Sequence, residues 1–264
     1  MTIGFIGLGN MAKAMIGGII SKGLYSPSDI YGSARTKETC DAVSKEFGIT
    51  ATTDNEEVAS KADILVLAIK PQMFDKVLPP IAGKVRENVL ILSIAAGKTT
   101  QAIEAIFGKK SVVRVMPNTP ALVNEGASAV CAGSNATASD VARVMAICES
   151  FGMAEELPEG MIDAFCAIAG SSPAYVFMYM EALADAGVKA GLPRDKAYKF
   201  AAQSTLGSAK LMLETGKHPG VLKDMVCSPG GTTIEAVHVL EDTGFRAAVM
   251  DAVEACVERA KDLG

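Results

Sequence analysis

Two glycine-rich segments are the parts of this sequence best suited to chemistry. The first, Gly4 to Ala12, has the pattern G-x-G-x-x-A directly after a short apolar run and at the start of a helix-like stretch. Gly7 allows a tight turn, Gly9 lets a pyrophosphate approach the backbone, and Ala12 is small enough for close packing of helix against strand. Free N–H groups at the helix N-terminus then bind phosphate oxygens. The segment predicts a dinucleotide site; the alternative is a glycine-rich turn of purely structural use.

The end of the second predicted strand indicates which dinucleotide binds. Enzymes that use NAD usually place an acidic residue there, on the ribose 2′-hydroxyl. Here Asp29 precedes the strand, and the strand end reads Gly-Ser-Ala-Arg over residues 32–35. Ser33 can donate a hydrogen bond to a 2′-phosphate, and Arg35 can pair with it. The sequence therefore favours NADP; the alternative is that Arg35 is only a solvated loop charge.

The second glycine-rich segment, residues 227–236, is a small-residue loop that opens into a helix. Gly230 and Gly231 let the backbone bend so that successive N–H groups point at one spot, and Thr232 or Thr233 can cap the helix. Because the loop has no Lys or Arg, it suits a small carboxylate better than a phosphate. The alternative is an ordinary capped helix.

Other familiar catalytic patterns are absent from the sequence. It has no G-x-S-x-G motif, no P-loop and no paired-carboxylate motif. His218 lies in a turn and His238 lies within a helix, so both are expected to be structural. A hydride-transfer enzyme without an evident acid or base points to an acceptor that activates itself, such as a cyclic imine protonated from solution. The enzyme then needs only to orient the partners and exclude water.

The elements that must position these segments divide the chain into two halves. From Met1 to about Leu157, short apolar runs alternate with helix-like stretches, which is typical of an α/β, Rossmann-like, doubly wound parallel sheet. The predicted strands are Thr2–Ile6, Ile30–Gly32, Ile64–Ile69, Val89–Ile94 and Val112–Met116, with weaker ones near Ile49, Ala127–Cys131 and Met153–Leu157. Beyond Leu157 the strand signals stop, and an all-helical remainder is predicted. We expect a dinucleotide-binding domain over residues 1–158 and a helical domain for substrate binding and dimerisation over residues 159–264.

One predicted helix, residues 173–190, is too apolar for the surface of a monomer. Its clear charges, Glu181, Asp185 and Lys189, are spaced four residues apart and therefore lie on one narrow stripe. The rest of its circumference requires burial, more than a domain of this size can provide alone. We expect an obligate homo-oligomer built through this half; the alternative is the central helix of a monomeric bundle.

Composition and charge exclude several classes of protein. The 264 residues include 25 Lys plus Arg and 30 Asp plus Glu, for a formal net charge of −5, and no basic cluster is dense enough to follow a nucleic-acid backbone. No apolar run approaches the roughly 18–20 residues that span a bilayer. The six cysteines have neither metal-ligand nor disulfide spacing, so no metal site is predicted. We expect a soluble, cytoplasmic protein that binds neither nucleic acid nor membrane.

Five segments, spread over essentially the whole length, resemble the pyrroline-5-carboxylate reductase family. The most specific is Ser228-Pro229-Gly230-Gly231-Thr232-Thr233. The others are Phe5-Ile6-Gly7-Leu8-Gly9-Asn10-Met11, Ala68-Ile69-Lys70-Pro71, Met116-Pro117-Asn118-Thr119-Pro120 and Gly170-Ser171-Ser172-Pro173-Ala174-Tyr175. The resemblance implies reduction of 1-pyrroline-5-carboxylate to L-proline, the last step of proline biosynthesis, by hydride from NADPH or, alternatively, NADH. It also implies that nicotinamide and imine meet between the two domains.

The resemblance implies roles for individual residues as well. Ser33 and Asn55 would lie near the adenosine ribose. Gly230, Gly231 and Thr232 would hold the substrate carboxylate, and Thr233 would be the catalytic residue, bonded to the ring nitrogen. With the motif residues above, the residues expected along the cofactor are Gly7, Leu8, Gly9, Asn10, Met11, Ala12, Ser33, Arg35, Asn55, Ala68, Ile69, Lys70, Pro71, Ala95, Ala96 and Gly97. An interlocked homodimer is implied, and five dimers assemble into a decamer in some members. Met225 stands where some relatives have Asn.

Two other functions are compatible with parts of the sequence. A β-hydroxyacid dehydrogenase shares the first glycine motif and the two-domain plan, but it needs a catalytic lysine on the first helix of the second domain. That helix has no lysine before Lys189, at its far end. A non-catalytic NADP-sensing module would bind NADPH and turn over no imine.

Overall fold

The strands in the first part of the chain form one eight-stranded sheet. In the computed structural model, which describes the backbone of residues 1–263 and the side chains of residues 1–261, the strand order is β3-β2-β1-β4-β5-β6-β7-β8. The strands are Ile3–Ile6 (β1), Ile30–Ser33 (β2), Thr50–Thr52 (β3), Ile64–Leu67 (β4), Leu90–Ser93 (β5), Ser111–Pro117 (β6), Gly126–Ala132 (β7) and Gly152–Glu156 (β8). The eight predicted strands and the α/β fold class are confirmed.

Helices cover this sheet on both faces, and a second set of helices follows it. Those that accompany the strands are Asn10–Ser21 (α1), Lys37–Phe47 (α2), Asn55–Lys61 (α3), Phe74–Ala82 (α4), Thr100–Phe107 (α5), Ala138–Glu149 (α6) and Ile162–Phe165 (α7). The later ones are Ser172–Lys189 (α8), Arg194–Thr215 (α9), Pro219–Val226 (α10), Thr232–Asp242 (α11) and Phe245–Leu263 (α12). Among the described residues after Glu156 every element is helical, as the sequence predicts.

Alternation along the central strands explains why both faces are covered. Ile3 and Phe5 of β1 belong to a core cluster that includes Met15 of α1. Ile6, on the opposite face, belongs to a second cluster that includes Phe74 of α4. Successive side chains of a strand point to opposite faces, so a strand that is apolar throughout requires a helical layer on each side.

The direction of β7 differs from the prediction of a wholly parallel sheet. β7 runs antiparallel to β6, with Val113 opposite Ala132 and Pro117 opposite Ser128, whereas the other neighbouring strands are parallel. The link between β6 and β7 contains only the short 3-10 segment Thr119–Val123. A connection this short cannot return the chain to the start of a parallel strand, which needs a crossover of a dozen residues or more.

The chain divides into two compact units by its internal contacts. Unit 1 contains Met1–Gly170 and the chain from Arg259 on, and unit 2 contains Ser171–Glu258. Residues just beyond the sheet belong to unit 1 because Ile162 of α7 packs against Ala129 and Cys131 of β7. The domain boundary expected after residue 158 stays a prediction.

In unit 2, the helices α8 and α9 expose many large apolar side chains. Phe177 is 66% exposed, Met178 69% and Phe200 61%. Contrary to the expectation that no apolar stretch is long enough, residues 159–189 would suffice by length and composition alone to cross a membrane. Contiguous exposed apolar surface of this kind usually marks a surface that another protein or a membrane covers.

Asp140, in the first turn of α6, is a carboxylate with several hydrogen bonds. It accepts hydrogen bonds from the Thr137 N–H (2.9 Å), the Thr137 hydroxyl (2.8 Å) and the Ser111 hydroxyl (2.8 Å), and it pairs with Arg143. Burial by itself raises the pKa of Asp140, but these hydrogen bonds outweigh it and lower the pKa to about 2 from an ordinary 3.8. The folded state therefore favours the charged form.

We expect Asp140→Asn to lower the free energy of unfolding at pH 7 by about 1–3 kcal/mol, the range for losing charge-assisted hydrogen bonds and a helix cap. The stabilisation is complete above the unfolded pKa of about 3.9 and is lost as the pH falls toward 2. Denaturation of both proteins at pH 7 and at pH 3 measures this difference. The control Asp41→Asn removes an exposed ion pair with Lys37 and should change stability little. An equal loss in the two variants would contradict the prediction.

Candidate active site

The turn between β1 and α1 has a geometry that requires glycine. The Gly7 N–H donates to the carbonyl of Ser33 at 3.0 Å, and Gly7 has a φ of +99°. A Cβ at this position would lie 2.6 Å from the carbonyl oxygen of Ala68. Since Ser33 ends β2 and Ala68 follows β4, the turn is held against both neighbouring strands.

The residues after Gly7 form an uncapped helix N-terminus that faces open space. Gly9 is the N-cap of α1, and no side chain caps this helix. A Cβ at Gly9 would meet no protein atom within 4 Å, so a ligand can approach the backbone there. Leu8 and Ala12 are buried beneath the turn, while Asn10 is exposed and Met11 is half-buried. An open glycine beside free helical N–H groups fits the pyrophosphate of a dinucleotide.

The remaining residues expected along the cofactor lie at the same edge of the sheet. β1 lies between β2 and β4, where the strand order changes direction, and ligands of such sheets bind outside the carboxyl ends of the strands at this point. Exposed residues at this edge are Arg35, Lys70, Ala96 and Gly97; half-buried ones are Asn55, Ala68, Ile69 and Pro71; Ala95 is buried. The fold thus brings together residues that are far apart in the sequence.

Ser33 departs from its expected environment. It is fully buried, and its hydroxyl donates to the carbonyl of Phe5 at 3.3 Å. In this conformation the hydroxyl is engaged within the sheet, because β2 is an inner strand, and its predicted hydrogen bond to a 2′-phosphate stays a prediction. Arg35, two residues further on, is exposed, and its pairing with such a phosphate also stays a prediction.

In unit 2, the second glycine-rich segment forms a tight turn before α11. The Gly231 N–H donates to the Ser228 carbonyl at 3.0 Å, and Gly230 has a φ of +64°. A proline followed by a residue with positive φ is typical of a type II turn. The turn places the N–H groups at the start of α11 beside one another, next to the half-buried Thr233.

Neither threonine caps α11, contrary to the prediction. Gly231 is the N-cap, and no side chain caps the helix, because Thr232 and Thr233 already lie within its first turn. The first N–H groups of α11 therefore keep their positive partial charge available to a ligand. Gly230, Gly231, Thr232 and Thr233 together fit a small carboxylate better than they fit an ordinary capped helix.

One of the two histidines caps a helix. The Nδ1 atom of His218 accepts a hydrogen bond from the Gly220 N–H at 3.1 Å and caps α10. His238 is exposed on α11. The cap agrees with the structural role predicted for His218.

Sequence reasoning assigned no role to three polar residues of unit 1, which are Arg114, Glu159 and Asn118. Arg114 lies in β6 and is only 6% exposed, with an ion pair to Glu159 at 2.8 Å. Asn118 donates to the Ala169 carbonyl (2.9 Å) and accepts from the Ala127 N–H (2.8 Å). A signal for Arg114 exists, since it is the only charge in the apolar run 112–116. A charge in such a run requires a buried partner.

Comparison with known proteins gives consistent matches over the whole chain. Residues 159–263 match the family model described as pyrroline-5-carboxylate reductase dimerisation, and residues 2–97 match that of the NADP oxidoreductase, coenzyme F420-dependent. The chain is 50% identical to a pyrroline-5-carboxylate reductase of Escherichia coli (strain K12), over 99% of this chain and 97% of the relative. It is 41% identical to that of Arabidopsis thaliana, over 99% and 95%.

Solved structures match equally well. A pyrroline-5-carboxylate reductase from Coxiella burnetii superposes with a TM-score of 0.95 at 36% identity, covering 100% of this chain and 98% of the other. A pyrroline carboxylate reductase of Plasmodium falciparum, solved with NADP bound, superposes with a TM-score of 0.87 at 34% identity and the same coverage.

Proposed function

Because the chain belongs to the pyrroline-5-carboxylate reductase family, we propose a specific role for each glycine-rich segment in the reduction of 1-pyrroline-5-carboxylate to L-proline. The protein is an NAD(P)H-dependent oxidoreductase of proline biosynthesis. The observation that carries the proposal is the uncapped N-terminus of α11, which follows the turn at Gly230. A helix N-terminus without a capping side chain is suited to an anion, and the substrate is a carboxylate.

The residues at the start of α11 bind and orient the imine. Gly230, Gly231 and Thr232 hold the substrate carboxylate at the uncapped N-terminus of α11. The hydroxyl of Thr233 bonds the ring nitrogen, and this bond strengthens as the imine becomes an amine. Protonation from solution prepares the nitrogen, so no side chain has to act as a strong acid.

The residues at the edge of the sheet hold the dinucleotide. The α1 N-terminus and Gly9 hold the pyrophosphate, Arg35 pairs with the 2′-phosphate, and Asn55 lies near the adenosine ribose. The segments 68–71 and 95–97 lie along the rest of the cofactor. When bound, NADPH supplies the hydride that reduces the C=N bond at carbon.

The active assembly is a homodimer built through unit 2. The match of residues 159–263 to a dimerisation model and the exposure of Phe177, Met178 and Phe200 support this assembly. Burial in a dimer also accounts for the apolar stretch 159–189 without a membrane, so the protein is a soluble enzyme of the cytoplasm. Five such dimers form a decamer, and light scattering after gel filtration distinguishes the monomer, dimer and decamer by mass.

A direct assay tests the function. Purified protein is mixed with NADPH and 1-pyrroline-5-carboxylate, nicotinamide absorbance is followed, and the run is repeated with NADH. We expect oxidation of cofactor together with formation of proline. Binding of NADPH without turnover would instead support the NADP-sensing module. The relatives do not favour that module or a β-hydroxyacid dehydrogenase.

Arg35→Ala is expected to raise the KM for NADPH by about 10- to 100-fold, the range for losing charge-assisted hydrogen bonds. The KM for NADH should change little, because NADH has no 2′-phosphate. KM values for both cofactors, at saturating imine, measure the effect. Lys37→Ala is the matched control, since Lys37 is a nearby exposed cation that pairs with Asp41. Equal losses for NADPH and NADH would remove the proposed role of Arg35.

A further inference from the structure

An ion pair in unit 1, between the buried Arg114 and the half-buried Glu159, lies beside the segment 95–97 that is expected along the cofactor. Arg114 is 6% exposed. Its Nη1 donates to Glu159 at 2.8 Å, and its Nε has no hydrogen-bond partner among the described residues. Burying an ion pair is often no better for stability than burying apolar residues of similar volume. The arrangement therefore calls for an explanation other than stability alone.

Glu159 accepts hydrogen bonds from the first residue of α5. One carboxylate oxygen accepts the Thr100 N–H at 2.8 Å, and the other accepts the Thr100 hydroxyl at 2.8 Å. A negative charge at a helix N-terminus is stabilised by the free N–H groups and the helix dipole. Burial by itself raises the pKa of Glu159, but the bonds from Arg114 and Thr100 outweigh it and lower the pKa. Glu159 is therefore charged at neutral pH.

The helix α5, which Glu159 holds, follows shortly after the segment 95–97 in the chain. This segment joins the end of β5 to Thr99, the N-cap of α5. A cavity of about 440 Å³ is lined by Ala96 and Gly97 and also by Arg114 and Glu159. Movement of the Glu159 carboxylate would thus move the start of α5 and the segment that leads into it.

We propose that Glu159, held by Arg114, is a positioning residue for the dinucleotide. It fixes the start of α5 and thereby the position of the Ala96 and Gly97 backbone along the cofactor. This inference rests on the proposed cofactor edge. In this role Glu159 makes no contact with the reacting atoms. Its effect is on cofactor affinity, since the carboxylate sets the position of backbone that the cofactor meets.

Unit 1 offers a closely matched control for this carboxylate. Asp63 accepts the Thr2 N–H at 2.7 Å and the Thr2 hydroxyl at 3.2 Å, and it also pairs with Arg86. The donors are thus of the same kinds as those at Glu159: a threonine N–H, its hydroxyl and an arginine. Thr2 and Asp63 precede β1 and β4, so they lie at the amino ends of the strands, opposite the cofactor edge.

The test compares NADPH dissociation constants of Glu159→Gln and Asp63→Asn, measured by titration without imine on protein whose folding is checked by circular dichroism. We expect the constant to rise about tenfold in Glu159→Gln, the scale of one charge-assisted hydrogen bond, and to stay at the wild-type value in Asp63→Asn. In turnover, the KM for NADPH should rise in Glu159→Gln while kcat stays within about twofold, a split that general instability does not produce.

Thr100→Val is a milder variant that decides the matter if Glu159→Gln fails to fold. It removes one hydroxyl bond to Glu159 and keeps the N–H bond, so the dissociation constant should rise about threefold. A wild-type constant in Thr100→Val and in any folded Glu159→Gln protein, or an equal rise in Asp63→Asn, overturns the proposal. Because binding is measured without imine, this outcome is separate from failure of the wild-type protein to turn over the imine.

Discussion

Thr233→Ala is expected to lower kcat by about 10²-fold, the scale for losing one hydrogen-bond donor in the transition state. The hydroxyl of Thr233 is half-buried in the first turn of α11 and is free of any capping bond. It is therefore available to the ring nitrogen, whose demand for a hydrogen bond grows as hydride arrives at the neighbouring carbon. Single-turnover rates with saturating imine and NADPH measure the effect, and NADPH affinity should change little.

Two further variants separate this role from structural effects. Thr233→Ser keeps the hydroxyl and should recover most of the lost rate. Thr243→Ala removes a threonine hydroxyl at the other end of α11, where it bonds the Val239 carbonyl, and should leave kcat at the wild-type level. An unchanged kcat in Thr233→Ala would show that the hydroxyl has no part in the reaction.

Gly9→Ala is expected to raise the NADPH dissociation constant by about 10²-fold without unfolding the protein. The backbone at Gly9 has a φ of −78°, which alanine adopts readily, and a new Cβ there would touch no protein atom within 4 Å. The methyl group would instead fill the space that the pyrophosphate needs. Displacing the phosphates from the helix N-terminus removes several charge-assisted hydrogen bonds, each worth about 1.5–3 kcal/mol.

Two other glycines make the controls for this experiment. Gly17→Ala, in the middle of α1, meets only Phe47 at 3.5 Å and should bind NADPH normally with equal or greater stability. Gly7→Ala should unfold at lower temperature, since its φ of +99° and the clash with Ala68 are both unfavourable. Titration with NADPH and thermal denaturation distinguish the three variants. Normal binding by Gly9→Ala would contradict the pyrophosphate site.

Features that depend on neighbours along the chain were predictable. The fully buried strands β1, β4 and β5 follow from runs of apolar residues, and the turn at Gly7 follows from the spacing of small residues after the first run. The loop before α11 is predictable for the same reason, because a proline and two glycines determine its turn locally. Periodicity also indicated the apolar faces of α8 that the structure leaves exposed.

Features that depend on distant residues were not predictable in the same way. The burial of Ser33 depends on β2 lying between β1 and β3, and the reversal of β7 depends on where the short link after β6 ends. The N-cap of α11 depends on backbone angles, and the two threonines at the start of the helix do not determine those angles. Each of these is decided by packing, which can override local preference.

By itself the sequence determined the fold class, the family and the two glycine-rich segments of the candidate site. The tertiary structure alone decided that Arg114 and Thr100 meet Glu159, which lies 45 and 59 residues away from them along the chain. It also decided that Asn118 reaches Ala169. The physical reason is range: backbone propensity and hydrophobic periodicity act over a few residues, whereas buried polar groups find their partners only when the folded chain brings distant segments together.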